Sequence, residues 1–162
     1  MLYLYIVALS GALLYQDSHI ESLYTVNYIL CFIIVLAFHA GANLINTYYD
    51  FQTGVDQVAT ADDRTLVDKT VLPSTVLKTA LGCFAVGLSA ALKGLTIAPF
   101  DDATPALALL GLSMGLSFFY TANPLNLKGL GLGDFTIFMC FGPLLMSGVC
   151  LATCGKLVTA VL

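Results

Sequence analysis

The sequence predicts an all-α, polytopic transmembrane helical bundle. Three observations predict it. Of the 162 residues, 59% are apolar and 10% charged, with a mean hydropathy of +0.91. A soluble domain runs nearer about 45–50% apolar and about 25% charged, so this chain has too few charges to solvate its own surface and lipid must cover much of it. Long apolar runs alternate with short polar connections, and backbone that meets lipid must satisfy its hydrogen bonds within each segment, as a helix does. Finally, the few charges are clustered rather than dispersed.

Taken in order, the first apolar run is Met1–Tyr15. It is shorter than the roughly 20 residues a spanning helix needs, and no basic residue precedes it, so it reads as a shortened span and not as a cleavable leader. Leu23–Ile45 follows, with one imidazole, His39, and no formal charge. Val76–Ala98 carries Lys78 and Lys93 near its ends, where long side chains snorkel towards the interface. Thr104–Ala122 has no charge, and Asp134–Thr153 is apolar after its first residue. Residues 154–162 continue apolar apart from Lys156. About five spans are expected, within a single transmembrane domain covering 1–162. The five cysteines all lie in these runs without metal-ligand spacing and read as small buried apolar residues. There is no Trp, so Tyr and Phe must supply any interfacial aromatic belt.

The connections carry the chemistry. Residues 46–75 form the longest polar stretch, and 123–133 form a Gly-rich loop, NPLNLKGLGLG. If each run spans once, these two loops share one side of the membrane. That side holds Arg64, Lys69, Lys78 and Lys128, against Lys93 and Lys156 on the other. The positive-inside rule then makes it the cytoplasmic side. The net charge of −4 argues against a nucleic-acid partner, which needs a basic face.

Near the end of the second run His39, Asn43, Asn46 and Asp50 are spaced four, three and four residues apart. At 3.6 residues per turn they share one helix face. Polar groups in a membrane helix point into the bundle or a cavity; the plain alternative is that His39 and Asn43 tie helices together. Asn46, Asp50 and Asp56 place an amide and two carboxylates at a helix end facing water. Such hard oxygen donors suit Mg²⁺, which keeps several waters and takes one or two carboxylates plus phosphate oxygens. The metal inverts the repulsion that two acids would otherwise exert on a phosphate. Asp62-Asp63-Arg64 and Asp68-Lys69 follow. Arg64 offers a planar fork for phosphate oxygens, or is one of several paired charges on a solvated loop. Lys128, followed by glycines in the other loop, reads as a topology determinant. Asp134 opens the last run, where a carboxylate suits a helix N-terminus. A diphosphate on a lipid-soluble chain fits the whole: its head takes the metal, its tail the apolar helices.

GANLINTYYDFQTGVD, DDRTLVD and FYTANPLNLKGLGLGDFTIFMCFGPLLMSG together resemble the UbiA superfamily of intramembrane prenyltransferases, from about Val7 to about Gly155, and most of all its 1,4-dihydroxy-2-naphthoate prenyltransferase branch. The resemblance implies a bundle of nine helices around a central cavity, and transfer of a prenyl group from an isoprenyl diphosphate, such as geranylgeranyl diphosphate, to an aromatic, naphthoquinone-type acceptor in menaquinone (vitamin K2) biosynthesis. It implies that two facing Asp-rich motifs bind Mg²⁺ and diphosphate. The first motif corresponds to Asn46, Asp50 and Asp56, with Asp50 and Asp56 catalytic. Arg64 and Lys128 match basic residues near the diphosphate; Tyr120, Asp134 and Asn43 fall in matching cavity-lining segments. The animal-like character implies an endoplasmic reticulum or Golgi membrane. The second Asp-rich motif has no match, since no acidic residue follows Asp134. The expectation is therefore the N-terminal part of such an enzyme, holding half of its metal site. The alternative is a short, non-catalytic form that binds prenyl lipid or protein partners.

Overall fold

A computed structural model describes residues 22–98 and 101–155 of the chain. The apolar run Met1–Tyr15 and the tail beyond Gly155 lie outside the described residues. Among them every regular element is helical, without strands.

Helix α1 (Ser22–Gln52) continues well past Ile45, where apolarity fades. Its last two turns hold polar side chains that bond to one another, so helical backbone is retained after the hydrophobic pattern stops. The helix ends where Gly54 takes a positive φ of 74°, a conformation that glycine adopts without steric penalty. Residues 53–72 form an irregular polar loop. Helix α2 (Pro73–Ile97) starts on a proline, whose missing N–H is no loss in a first turn. Proline also keeps the preceding Leu72 extended.

Helix α3 (Thr104–Phe119) follows an Asx turn in which Asp102 accepts a hydrogen bond from the Thr104 N–H at 2.9 Å. It stops short of the expected Ala122: Pro124 disfavours helical backbone at the residue before it, and the chain turns from Tyr120 on. The last rod is built from α4 (Gly133–Met139), a π-helical turn at Cys140–Leu144 and α5 (Leu145–Cys154). Pro143 lies inside the π turn; without an N–H it cannot close the usual bond, and the wider turn absorbs the break. Gly155, with φ of 71°, caps the end.

Three of these segments are long and apolar enough to cross a membrane: Val26–Gln52, Pro73–Ile97 and Gly133–Thr153. Thr104–Phe119 is apolar but shorter. The chain is an integral membrane protein.

The α1–α2 pair is antiparallel and is fitted by glycines. A Cβ on Gly41 would come within 2.9 Å of the Phe84 ring, and one on Gly87 within 2.5 Å of the Phe38 ring. Each phenylalanine thus rests in the other helix's glycine notch, the small-residue packing that membrane helices favour. Phe38 and Phe84 are 5.7 Å apart between centroids. With Ile45, Ala80 and Ala122 they form the main buried cluster. A second contact joins α1 to α5 through Cys31 and Val149, where Asn27 also donates to the Ala152 carbonyl at 2.9 Å. Val26, Ile29, Ile33 and Leu36 are exposed and recur at helical spacing on α1, a stripe for lipid. Cys31, Cys83, Cys140 and Cys150 are free thiols; Cys31 and Cys150 are buried as expected, whereas Cys83 and Cys140 are only half-buried.

Candidate functional site

The polar loops meet at one end of the bundle. After α3 the chain folds back on itself: Leu127 N–H donates to the Phe119 carbonyl at 3.0 Å and Lys128 N–H to the Tyr120 carbonyl at 2.8 Å. Asn126 sits at a positive φ of 40°, which asparagine tolerates better than most residues, and its side-chain oxygen accepts from the Gly129 N–H at 3.1 Å. This tight return carries the Lys128 side chain across to α1. Its Nζ donates to Asp50 Oδ2 at 2.7 Å and to Asn46 Oδ1 at 3.3 Å. Asn46 in turn donates through Nδ2 to the same Asp50 oxygen at 2.9 Å. Asp50 is 8% exposed. A carboxylate buried to that degree needs such partners in place of water.

Asp56 is brought to Asp50 by the backbone. The N–H groups of Val55 and Asp56 both donate to the Asp50 carbonyl, at 2.9 and 3.1 Å, with Gly54 making the turn. The Asp56 carboxyl is pushed above the usual carboxylate range, first by burial and then by the charges of Asp50, Asp63 and Asp62; Lys128 opposes them. Asp63 is tied down separately. Thr47 Oγ1 donates to its Oδ2 at 2.6 Å and the Thr65 N–H to its Oδ1 at 2.9 Å, and these bonds hold its carboxyl below the usual range. Thr47, one position from Asn46, thus anchors the 62–68 loop to α1. The sequence reading passed over it; its only signal was a hydroxyl at the head of the Asn46–Asp50 turn.

Arg64 stands further out. It forms a two-pronged pair with Asp68 (Nε to Oδ2, 2.9 Å) and donates to the Val58 carbonyl at 3.1 Å. Both side chains are about half exposed, and the pairing raises the guanidinium and lowers the Asp68 carboxyl. Asp134 is in the first turn of α4 and exposed. Tyr120 lies beside that turn: a Cβ on Gly133 would be 3.4 Å from its hydroxyl.

The bundle also holds a cavity of about 290 Å³. Leu30, Ile34 and Phe38 of α1, Leu95 of α2, Leu110 of α3 and Leu144 of the π turn contribute to a largely apolar wall, and Tyr120, His39 and Asn43 also line it. Asn43 is one turn below Asn46 and lies 3.2 Å from His39 Nε2. The structure therefore groups Asn46, Asp50 and Lys128, with Asp56 on the adjoining turn, at the polar end of the bundle; Asn43, one turn before Asn46, and Tyr120 line the cavity. Arg64 is set in the adjoining loop and Asp134 at the foot of the opposite helix.

The donor set fits a hard divalent cation in part. Two carboxylates and an amide oxygen can supply oxygen ligands, and Asp56 carries repulsion from three neighbouring carboxylates that Lys128 relieves in part. Among the described residues no three His, Cys, Asp or Glu side chains gather closely enough to hold a metal.

A family model described as "UbiA prenyltransferase family" matches residues 4–162. The chain is 37% identical over 138 residues to UbiA prenyltransferase domain-containing protein 1 of Homo sapiens, and 36% identical over 138 residues to that of Xenopus tropicalis. Each match covers 85% of this chain and 39% of the relative. A Drosophila melanogaster homolog is 31% identical over 136 residues, covering 84% of this chain and 37% of its own. The chain thus spans under half the length of the relatives it matches.

Proposed function

The chain belongs to the UbiA prenyltransferase family, and on that premise we propose that it forms part of an intramembrane enzyme moving a prenyl group from an isoprenyl diphosphate to an aromatic acceptor. The observation that carries the reading is the Asn46–Asp50–Lys128 cluster, one helical turn beyond Asn43 in the wall of an apolar cavity. An acidic, metal-competent end meets a greasy interior, which is the shape of a diphosphate on a hydrocarbon tail.

Asp50, Asp56 and Asn46 would hold Mg²⁺. When bound, the ion supplies the positive charge that makes diphosphate a competent leaving group. Lys128 adds a fixed cation at the same point, aimed where negative charge develops as the carbon–oxygen bond breaks. Arg64 would release Asp68 to reach a phosphate oxygen. Tyr120, Asn43 and Asp134 would border the substrates beneath. The apolar wall keeps water from the allylic cation until the ring attacks it. Facing acidic groups from elsewhere in the enzyme would complete the metal site. A geranylgeranyl tail, a naphthoquinone-type acceptor leading to menaquinone, an endoplasmic reticulum or Golgi membrane and a cytoplasmic mouth are the specific form of this reading.

The test is prenyl transfer from geranylgeranyl diphosphate to a reduced naphthoquinone, with Mg²⁺, in membranes carrying either these 162 residues or a longer reading frame. Product that is lost in Asp50→Asn supports the reading. Absence of product from both forms, in membranes where the protein is folded, overturns it and leaves a non-catalytic lipid binder.

A further inference from the structure

One hydroxyl at the polar end of the bundle has two acceptors and a single proton. Thr47 Oγ1 lies 3.1 Å from the Asn43 carbonyl, one turn back, and 2.6 Å from Asp63 Oδ2. A threonine inside a helix ordinarily satisfies its hydroxyl on that carbonyl. Here the shorter, charge-assisted contact is the one to Asp63, sixteen residues on. The second oxygen of Asp63 accepts from the Thr65 N–H at 2.9 Å. One carboxylate oxygen thus holds the helix while the other shapes the loop.

The loop is therefore pinned to α1 at two points close together. At its start the Val55 and Asp56 N–H groups donate to the Asp50 carbonyl at 2.9 and 3.1 Å. At Asp63 it returns to Thr47, about 4.5 Å from Asp50 along the axis at 1.5 Å per residue. Between the pins residues 57–60 are exposed, and the Thr60 and Ala61 N–H groups close a turn on the Gln57 carbonyl. Such a stretch keeps its place only as far as its two ends are held. Leu66, 3% exposed, seats the loop further on, but apolar burial is non-directional and does not fix a register. Asp56 stands at the first pin and Arg64 directly follows the second. The two groups assigned above to metal and phosphate are therefore placed by these ends.

We propose that Thr47 is a positioning residue: through Asp63 it fixes the segment 56–64 against α1, so that Asp56 and Arg64 meet the diphosphate already ordered. The proposal rests on the prenyl-transfer reading. Thr47 acts only through Asp63 and the loop, and this gives it a signature that support of the fold does not share. When the pin is lost, the cost of ordering the loop falls on binding of the diphosphate and not on binding of the acceptor.

The test uses the intact protein in lipid nanodiscs and has two readouts. The first is amide hydrogen exchange across residues 60–70, where the Thr60, Ala61, Thr65 and Asp68 N–H groups are bonded within the loop. The second is the kinetics of prenyl transfer from geranylgeranyl diphosphate to a reduced naphthoquinone with Mg²⁺. Thr47→Val keeps the side-chain shape and removes the hydroxyl. It speeds loop exchange and raises the KM for the diphosphate, each by about tenfold, as for one hydrogen bond to a charged group. The KM for the acceptor and exchange within α2 stay within about twofold, outside the reach of the lost bond. Asp63→Ala behaves as Thr47→Val does. Thr47→Ser restores the parent values. Asp63→Asn restores them too, because its amide N–H donates to Thr47 Oγ1 while its oxygen keeps the Thr65 N–H; this variant separates position from charge. Unchanged exchange and diphosphate KM in both Thr47→Val and Asp63→Ala overturn the proposal. So does faster exchange with an unmoved diphosphate KM, since the pin then orders a loop the substrate does not meet. Both KM values rising together, or no rescue by Thr47→Ser, also overturn it, because they mark general damage to the fold. Exchange that follows the expected pattern, in a protein of which no form transfers a prenyl group, upholds the pin and overturns the prenyl-transfer reading.

Discussion

Lys128 sets its ammonium 2.7 Å from a carboxylate oxygen of Asp50, across 78 residues of chain. The contact closes the polar end of the bundle, because it joins the loop after α3 to the last turn of α1. Asp50 is nearly buried, whereas the Lys128 side chain is 40% exposed. The pair is therefore asymmetric: loss of the lysine strands a carboxylate, while loss of the carboxylate returns the lysine to water.

Lys128→Met is expected to destabilise the bundle by about 1–2 kcal/mol, between the values for exposed pairs and for a broken buried pair. Asp50→Asn keeps the shape and is expected to be milder. Both are expected to reduce prenyl transfer by about a hundredfold or more, as for groups that stabilise developing charge. The double variant falls short of the sum, because the two residues share one interaction. Thermal unfolding in detergent and turnover in membranes measure the two effects separately.

The α1–α2 seam gives a prediction independent of catalysis. Gly87→Val would drive a side chain into the Phe38 ring, and Gly41→Val into Phe84. Each is expected to cost about 1–3 kcal/mol by overpacking. Gly82 has nothing within 4 Å of a would-be Cβ, so Gly82→Ala is expected to be neutral or slightly stabilising. Unfolding midpoints of the three variants, compared at fixed detergent, decide it; equal midpoints would rule out the notched packing.

Much of this was legible in the sequence because it is local. The stripe from His39 to Asp50 follows from helical periodicity alone, and counting spans puts the two polar loops at one end, where Asp50 and Lys128 meet. The end of α1 was not legible from hydropathy. Apolarity stops near Ile45, but Asn46 bonds to Asp50 on the next turn, so the helix persists to Gln52. The bond from Thr47 to Asp63 depends on the path of an irregular loop, which no periodicity encodes. The π turn could have been suspected from Pro143 in an apolar run; that it turns Phe141 towards His39 required the fold.

Asp56 supplies the pH dependence. Its carboxyl is raised because burial and the charges of Asp50, Asp63 and Asp62 disfavour ionisation. The folded chain thus holds this proton more firmly than the unfolded chain. The associated stability is present at low pH, below the ordinary carboxylate value, and is lost as pH rises through the raised value. A divalent cation needs the ionised form. Mg²⁺ affinity is therefore expected to fall on acidification at a pH above that of an ordinary aspartate. Lys128 opposes the shift, so Lys128→Met moves the midpoint to higher pH. Titration calorimetry with Mg²⁺ at a series of pH values, from below the ordinary carboxylate value upward, measures it, and a midpoint unmoved by Lys128→Met would refute the assignment.

Asn27 tests how buried polarity is tolerated between α1 and α5. It is 1% exposed, and its Nδ2 donates to the Ala152 carbonyl at 2.9 Å, but its Oδ1 is buried without a partner. Asn27→Leu removes one hydrogen bond and, with it, an acceptor already stripped of water. The two terms offset, so the change is expected to stay within about 1 kcal/mol of the parent. Asn27→Asp keeps the shape but replaces the donor with a carboxylate facing a carbonyl, and a buried unpaired charge is expected to cost about 3 kcal/mol or more, or to force protonation. Unfolding of the two variants at neutral pH separates these cases. If Asn27→Leu proves as damaging as Asn27→Asp, the bond to Ala152 contributes far more than a neutral hydrogen bond usually does, and the α1–α5 contact depends on it.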